Sequence, residues 1–164
     1  MVDSSTYQES VVVERVFDAP IDLVWKMWTD PVSFKAWYGP TGATVPVAEL
    51  DVSPGGRRRV CMRVGPMEMW FTGEHLEVTE PTRLVYTETI ADEQGNPISP
   101  ESLGLPPKTP GTTEVTVVLE EVDGGTRVTL THAGVPSESG AARGWRGAFD
   151  KLAAELRAAE DHVR

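Results

Sequence analysis

The 164-residue chain is 40% apolar and 24% charged, with a formal charge of −10 at neutral pH. That size suits one domain able to bury a core, and the acidic balance argues against nucleic acid and anionic membranes as partners. No apolar run approaches the ~20 residues of a membrane span. The start lacks a basic region leading into an apolar stretch, and Cys61 is alone, so no internal disulfide can form. A cytoplasmic protein is the plain reading.

Residues 1–10 are polar and unpatterned and read as a loose N-terminus. From Val11 to Phe17, β-branched and aromatic residues predict a strand. Ala19-Pro20 breaks it, with Asp18 near a helix-cap position and Pro20 suited to a first turn. Ile21, Val24, Trp25 and Trp28 then recur at helical spacing, and Thr29-Asp30-Pro31 ends that helix and starts a second short one carrying Phe34 and Trp37. Strand signals follow at about 43–52, 56–64, 67–78, 83–90, 113–122 and 125–132. Their connectors include Pro54-Gly55-Gly56, Gly65-Pro66, Glu80-Pro81 and Asp123-Gly124-Gly125, all turn chemistry. Such short links imply an antiparallel meander, because parallel strands need long crossovers.

Residues 91–112 depart from this order, since Pro97, Pro100, Pro106, Pro107 and Pro110 forbid a continuous strand. Connections longer than ~12–15 residues are often lids or binding loops, and the segment reads equally as a lid or a tolerated insertion. Ser99 to Leu103 could nucleate one helical turn within it. The last segment predicts a long helix with Ser137 as N-cap. Ala141, Trp145, Ala148, Phe149, Leu152 and Leu156 form its apolar stripe. Such a stripe is buried by packing across a sheet that curves around the helix.

The ordered signature is Phe17-Asp18-Ala19-Pro20, Val24-Trp25, Trp37-Tyr38-Gly39-Pro40, Asp51 before Gly55-Gly56, and Gly144-Trp145. It resembles the START-like, or SRPBCC, superfamily, and within it the branch named after the activator of heat-shock protein 90 ATPase. The resemblance spans about residues 11–160 and implies one α+β domain over 11–162. That domain is a helix-grip fold, a curved antiparallel sheet around a long C-terminal helix, with two short helices after the first strand. It also implies a hydrophobic cavity between sheet and helix.

Strand alternation suggests the lining. One face collects Val128, Leu130 and His132; Val115, Val117 and Leu119; Leu84, Tyr86 and Glu88; Trp70, Thr72, Glu74, Leu76 and Val78; and Met62 and Val64. A bulge would reverse every assignment beyond it. Trp28, Trp37, Met62, Trp70, Tyr86, Leu130, Trp145 and Phe149 are the expected apolar ligand contacts, with Glu88 and His132 as polar ones. An inward carboxylate beside an inward histidine is also the candidate acid–base pair. Plain core packing is the competing account of the aromatics. Arg57-Arg58-Arg59 reads as a solvated sheet face balanced by acids, with Arg58 pointing away from its neighbours.

Other schemes lack their signatures. There is no Gly-x-Ser-x-Gly elbow, and no phosphate loop or dinucleotide fingerprint. His75, His132, His162 and Cys61 have no metal-site spacing, so neither cofactor nor metal is expected. Three functions remain open. One is binding of a small apolar or aromatic molecule. The second, carried by the resemblance, is cyclase- or dehydratase-like chemistry on a polyketide-like or carbonyl substrate. The third is stimulation of the chaperone ATPase, for which the chain has no room for the separate N-terminal domain of the eukaryotic activators. The expected state is a monomer or a homodimer.

Overall fold

A computed structural model describes residues 10–104, 110–135 and 140–163. Strand β1 (Ser10–Phe17) leads into helices α1 (Ile21–Thr29) and α2 (Pro31–Lys35). Strands β2 (Ala43–Leu50), β3 (Arg57–Val64), β4 (Met67–Thr79) and β5 (Arg83–Ala91) follow. One 3₁₀ turn (Pro100–Leu103) precedes β6 (Thr112–Val122), β7 (Gly125–Ala133) and helix α3 (Ala141–Val163). The seven strands form one antiparallel sheet in the order β1-β7-β6-β5-β4-β3-β2. The meander, the paired short helices and the long last helix are those that the residue pattern predicts. Ser137, the expected cap of α3, lies outside the described residues, as do residues 1–9 and the middle of the Pro-rich segment.

Local chemistry accounts for the helix boundaries. Pro20 precedes α1 in extended conformation, and Asp30 both ends α1 and caps α2, its carboxylate accepting from the Ser33 amide at 3.0 Å. That bond holds the Asp30 carboxyl below its ordinary range. Ser99 caps the 3₁₀ turn in the same way, and Gly104 closes it in the left-handed region.

The apolar stripe of α3 is buried against the concave face of the sheet, where Trp145, Ala148, Phe149, Leu152 and Leu156 join one core with α1 and the inward residues of β5 to β7. Phe149 meets Phe17 edge-to-face at 5.5 Å. At the other side of α3, Lys151 points its ammonium into the turn before β2, donating to the carbonyls of Tyr38, Pro40 and Ala43 at 3.4, 3.1 and 3.3 Å. Gly147 lets that turn approach, for a Cβ there would clash with Thr41 Oγ1, whereas one on Gly144 would make only ordinary contact with Pro40. The signature residues Trp37 to Pro40 and Gly144-Trp145 are thus one structural unit, a turn clamped against the helix.

The sheet bends through two irregularities. Pairing shifts in β2 between Thr44 and Val47, and in β4 between His75 and Glu77. In β4 the unpaired residue is Leu76, which separates His75, opposite Tyr86, from Glu77, opposite Val85. The inward set of β4 is therefore Met69, Phe71, Gly73, His75 and Val78. Trp70, Thr72, Glu74 and Leu76, expected to face inward, face outward instead. The bulge reverses the alternation on its N-terminal side.

Gly73 lies in this bent stretch, and a Cβ there would stand 1.9 Å from the Thr87 carbonyl oxygen, a backbone atom that cannot rotate away. Gly73→Ala is expected to destabilise the fold by about 2 kcal/mol or more, the range of overpacked interiors. Gly140→Ala, where no described residue lies within 4 Å, should stay within about 0.5 kcal/mol of wild type. Urea midpoints compare the two, and equal midpoints would refute the assigned crowding.

Candidate functional site

The inward side chains of β3, β4 and β5 change character along the sheet. At the end where the Pro-rich segment and the β7–α3 connection emerge, Met62, Met69 and Phe71 are half-buried. Deeper in, Arg58 and Glu88 flank Gly73 in register and are only 3% and 9% exposed. Deeper still, His75 and Tyr86 are opposite one another and fully buried. An apolar rim thus leads to a polar layer.

That layer is a chain of hydrogen bonds. The Tyr38 hydroxyl donates to Glu88 Oε2 at 2.9 Å and lies 2.6 Å from the Tyr86 hydroxyl. The Tyr38 proton is therefore committed to Glu88, and the Tyr86 hydroxyl donates to Tyr38. Burial first, and the Glu88 charge second, raise the Tyr38 phenol well above its usual value, so it stays protonated. Arg58 stands over this group, its Cζ 3.6 Å from the Tyr86 ring centre and 5.4 Å from that of Phe34. Neither terminal nitrogen of Arg58 has a hydrogen-bond partner among the described residues. The same is true of His75 Nε2.

His132 stands on the neighbouring strands, with Nδ1 3.0 Å from Trp145 Nε1 and Nε2 2.8 Å from Thr113 Oγ1. Indole N–H only donates, so Nδ1 accepts and the neutral ring carries its proton on Nε2, donating to Thr113. Both nitrogens are engaged. Burial lowers the His132 pKa, opposed by the Glu88 charge. Burial also lowers that of His75, and the Arg58 charge adds to it.

The expected ligand contacts divide into three groups. Met62, Tyr86, Glu88, Leu130, His132 and Trp145 face the space between sheet and α3. Trp28, Trp37 and Phe149 face it too but pack on one another, with Trp28 4.6 Å from Trp37 and 6.5 Å from Phe149. At 1%, 0% and 0% exposure they are as closed to solvent as Tyr86 and Leu130, both at 0%. Trp70 is a correction. It lies on the outer face, where Arg59 stacks over its ring at 4.3 Å and its indole donates to Glu68 at 3.1 Å.

The outer face also receives the first part of the Pro-rich segment. Arg59 donates to the Glu93 carbonyl at 2.6 Å, Gly95 approaches Thr72, and Ala91 pairs with Pro97. Residues 92–98 therefore fold against the convex side. Missed from the sequence were Tyr38, Arg58 and His75. Tyr38 was visible only as a signature residue, Arg58 was masked by its exposed neighbours, and His75 lies on the strand whose bulge reverses the alternation.

A separate open depression of about 390 Å³ lies at the far end of the sheet, lined by Asp18, Ile21, Asp22, Glu121 and Gly125 among others. Among the described residues no group of three or more His, Cys, Asp or Glu side chains could hold a metal ion. No described helix is long and apolar enough to cross a membrane.

Fold and signature together agree with the comparison to known proteins. Residues 18–157 match the family described as activator of Hsp90 ATPase homolog 1-like protein, and the chain belongs to that family. Among solved structures, a Mycobacterium smegmatis protein is similar at 25% identity over 96% of this chain and 95% of its own, with a TM-score of 0.75. A Nitrosomonas europaea protein gives 22% identity, 93% and 96% coverage and a TM-score of 0.75. The AHSA1 protein of Silicibacter pomeroyi gives 22%, 91% and 98%, and 0.70. These likenesses establish the helix-grip architecture. No curated protein matches the chain.

The two buried histidines set a pH dependence. Unfolded histidine titrates near about 6.5, and both folded values are lowered. As pH falls through the unfolded value, the unfolded chain takes up protons that the fold refuses, so stability falls until the folded values are passed. The urea midpoint should be lower at pH 5.5 than at pH 8, and His132→Gln should flatten that slope. A midpoint unchanged between the two pH values would contradict the burial of neutral imidazoles.

Proposed function

We propose that the chain binds a small hydrophobic or aromatic molecule between the concave sheet and α3, entering at the end marked by Met62, Met69 and Phe71. The observation that carries this reading is the sequence of environments along β3 to β5. Half-buried sulfur and aromatic side chains lead inward to a polar layer whose donors are not all used within the protein. A site for a mostly apolar molecule has broad apolar walls and a few fixed polar groups.

Binding is favoured over acid–base chemistry by the state of His132. Both of its ring nitrogens are committed, whereas Glu88 accepts the Tyr38 hydroxyl through Oε2 alone. A general base needs a free site near the proton it removes. Glu88 and His132 accordingly act as polar contacts, and Trp145, bonded to His132, as the aromatic contact nearest the rim.

A ligand that binds only the folded state raises the melting temperature with its concentration. Screening a panel of apolar and aromatic compounds should give such shifts, accompanied by a change in tryptophan emission. Met62→Arg, which places a charge on the entry wall, should remove the shift while leaving the ligand-free fold intact. Ligand-induced shifts of equal size in Met62→Arg and wild type would place binding elsewhere.

A further inference from the structure

Among the described residues, the guanidinium of Arg58 is a buried charge, 3% exposed, without a hydrogen-bond partner at its terminal nitrogens. An uncompensated charge in the interior is costly, and arginine seldom lies buried unless it is paired. Its position is nonetheless well defined. The ring of Tyr86 covers one face at 3.6 Å and Phe34 stands 5.4 Å from Cζ. A guanidinium stacked over a ring can still donate its N–H groups to an acceptor.

The Glu88 carboxylate makes no hydrogen bond to either terminal nitrogen of Arg58. Glu88 accepts the Tyr38 hydroxyl at 2.9 Å, and Tyr38 is in turn joined to Tyr86. Gly73, directly between Arg58 and Glu88 in the register, offers no side chain to fill the gap. Farther in, the ring of His75 stands 6.3 Å from that of Tyr86. Its Nδ1 lies 3.2 Å from the Gly56 carbonyl, which can only accept, so Nε2 is an acceptor left without a donor. The approach to this region from the rim is apolar, past Met62, Met69 and Phe71.

We propose that Arg58 is the anchor for a carboxylate, and that the molecule held here is an apolar or aromatic carboxylic acid bound head first. Its carboxylate takes the free N–H edge of Arg58, and its apolar body lies back toward the rim. This rests on the pocket reading above and specifies the ligand class for it. A carboxylate supplies both the missing charge and two acceptors in the geometry of a guanidinium edge. Water supplies acceptors without the charge.

Isothermal titration calorimetry at pH 7.5 tests this with two probe pairs, 2-naphthoate against 2-naphthamide and decanoate against decanol. Wild type should bind at least one acid tighter than its neutral counterpart by about tenfold or more, as a charge-assisted bidentate contact implies. Arg58→Met should remove that preference while keeping the affinity for the neutral member. It should also melt no lower than wild type, because it removes an unpaired buried charge. Acid and neutral members bound equally by wild type would overturn the carboxylate assignment and leave the pocket standing. Binding of none of the four would overturn the pocket and the assignment together. The wild-type comparison decides even where a variant fails to fold, and Arg58→Lys, retaining charge without the fork, should keep only part of the preference.

Discussion

A long helix with one apolar stripe can be buried by a single sheet only if the sheet wraps around it, and that constraint organises this molecule. Antiparallel strands joined by tight turns supply the surface, but a regular pleated ladder would not bend enough. The bend comes from the pairing shifts in β2 and β4 and from Gly73, where the backbone of β5 crowds the space that a side chain would need. On the far side of α3, the Lys151 ammonium, bonded to three carbonyls, holds the turn before β2 in place. Sheet, turn and helix are each shaped by the others.

The same bend decides what lies inside. With Leu76 left out of the ladder, the face of β4 that meets the helix carries His75 and Phe71 rather than Trp70 and Glu74. Gly73 then separates Arg58 and Glu88, and the guanidinium settles on Tyr86. The polar layer is a product of curvature: a ladder continued without the shift would set Leu76 opposite Tyr86 in place of His75. Its electrostatics follow from burial. The phenols stay protonated, the imidazoles stay neutral, and the guanidinium keeps its charge because arginine cannot shed it.

Much of the architecture was legible because it depends on period and punctuation. The helical spacing of Ile21, Val24, Trp25 and Trp28 and the turn residues between strands each carry a local physical meaning. So does the stripe from Ala141 to Leu156. The inward sets of β5, β6 and β7 followed from alternation alone, since those ladders run without a shift. The site was only partly legible. Nothing local marks Leu76 as the residue that drops out of register, and Trp70 was lost to the outer face for that reason. Arg58 sits between two exposed arginines, and only the register with Gly73 shows that its side chain points into the interior. Whether an aromatic residue is core or wall is likewise a tertiary property, as the mutual packing of Trp28, Trp37 and Phe149 shows.

The central claim is that the space under the curved sheet receives a ligand whose acidic group meets Arg58. Native mass spectrometry of the protein purified under mild conditions tests it most directly, with the bound species released by denaturation and identified in negative-ion mode. The expected result is one equivalent of a small carboxylic acid with an apolar body, retained by wild type and absent from Arg58→Met. A neutral apolar molecule bound in equal amount to wild type and Arg58→Met would contradict it.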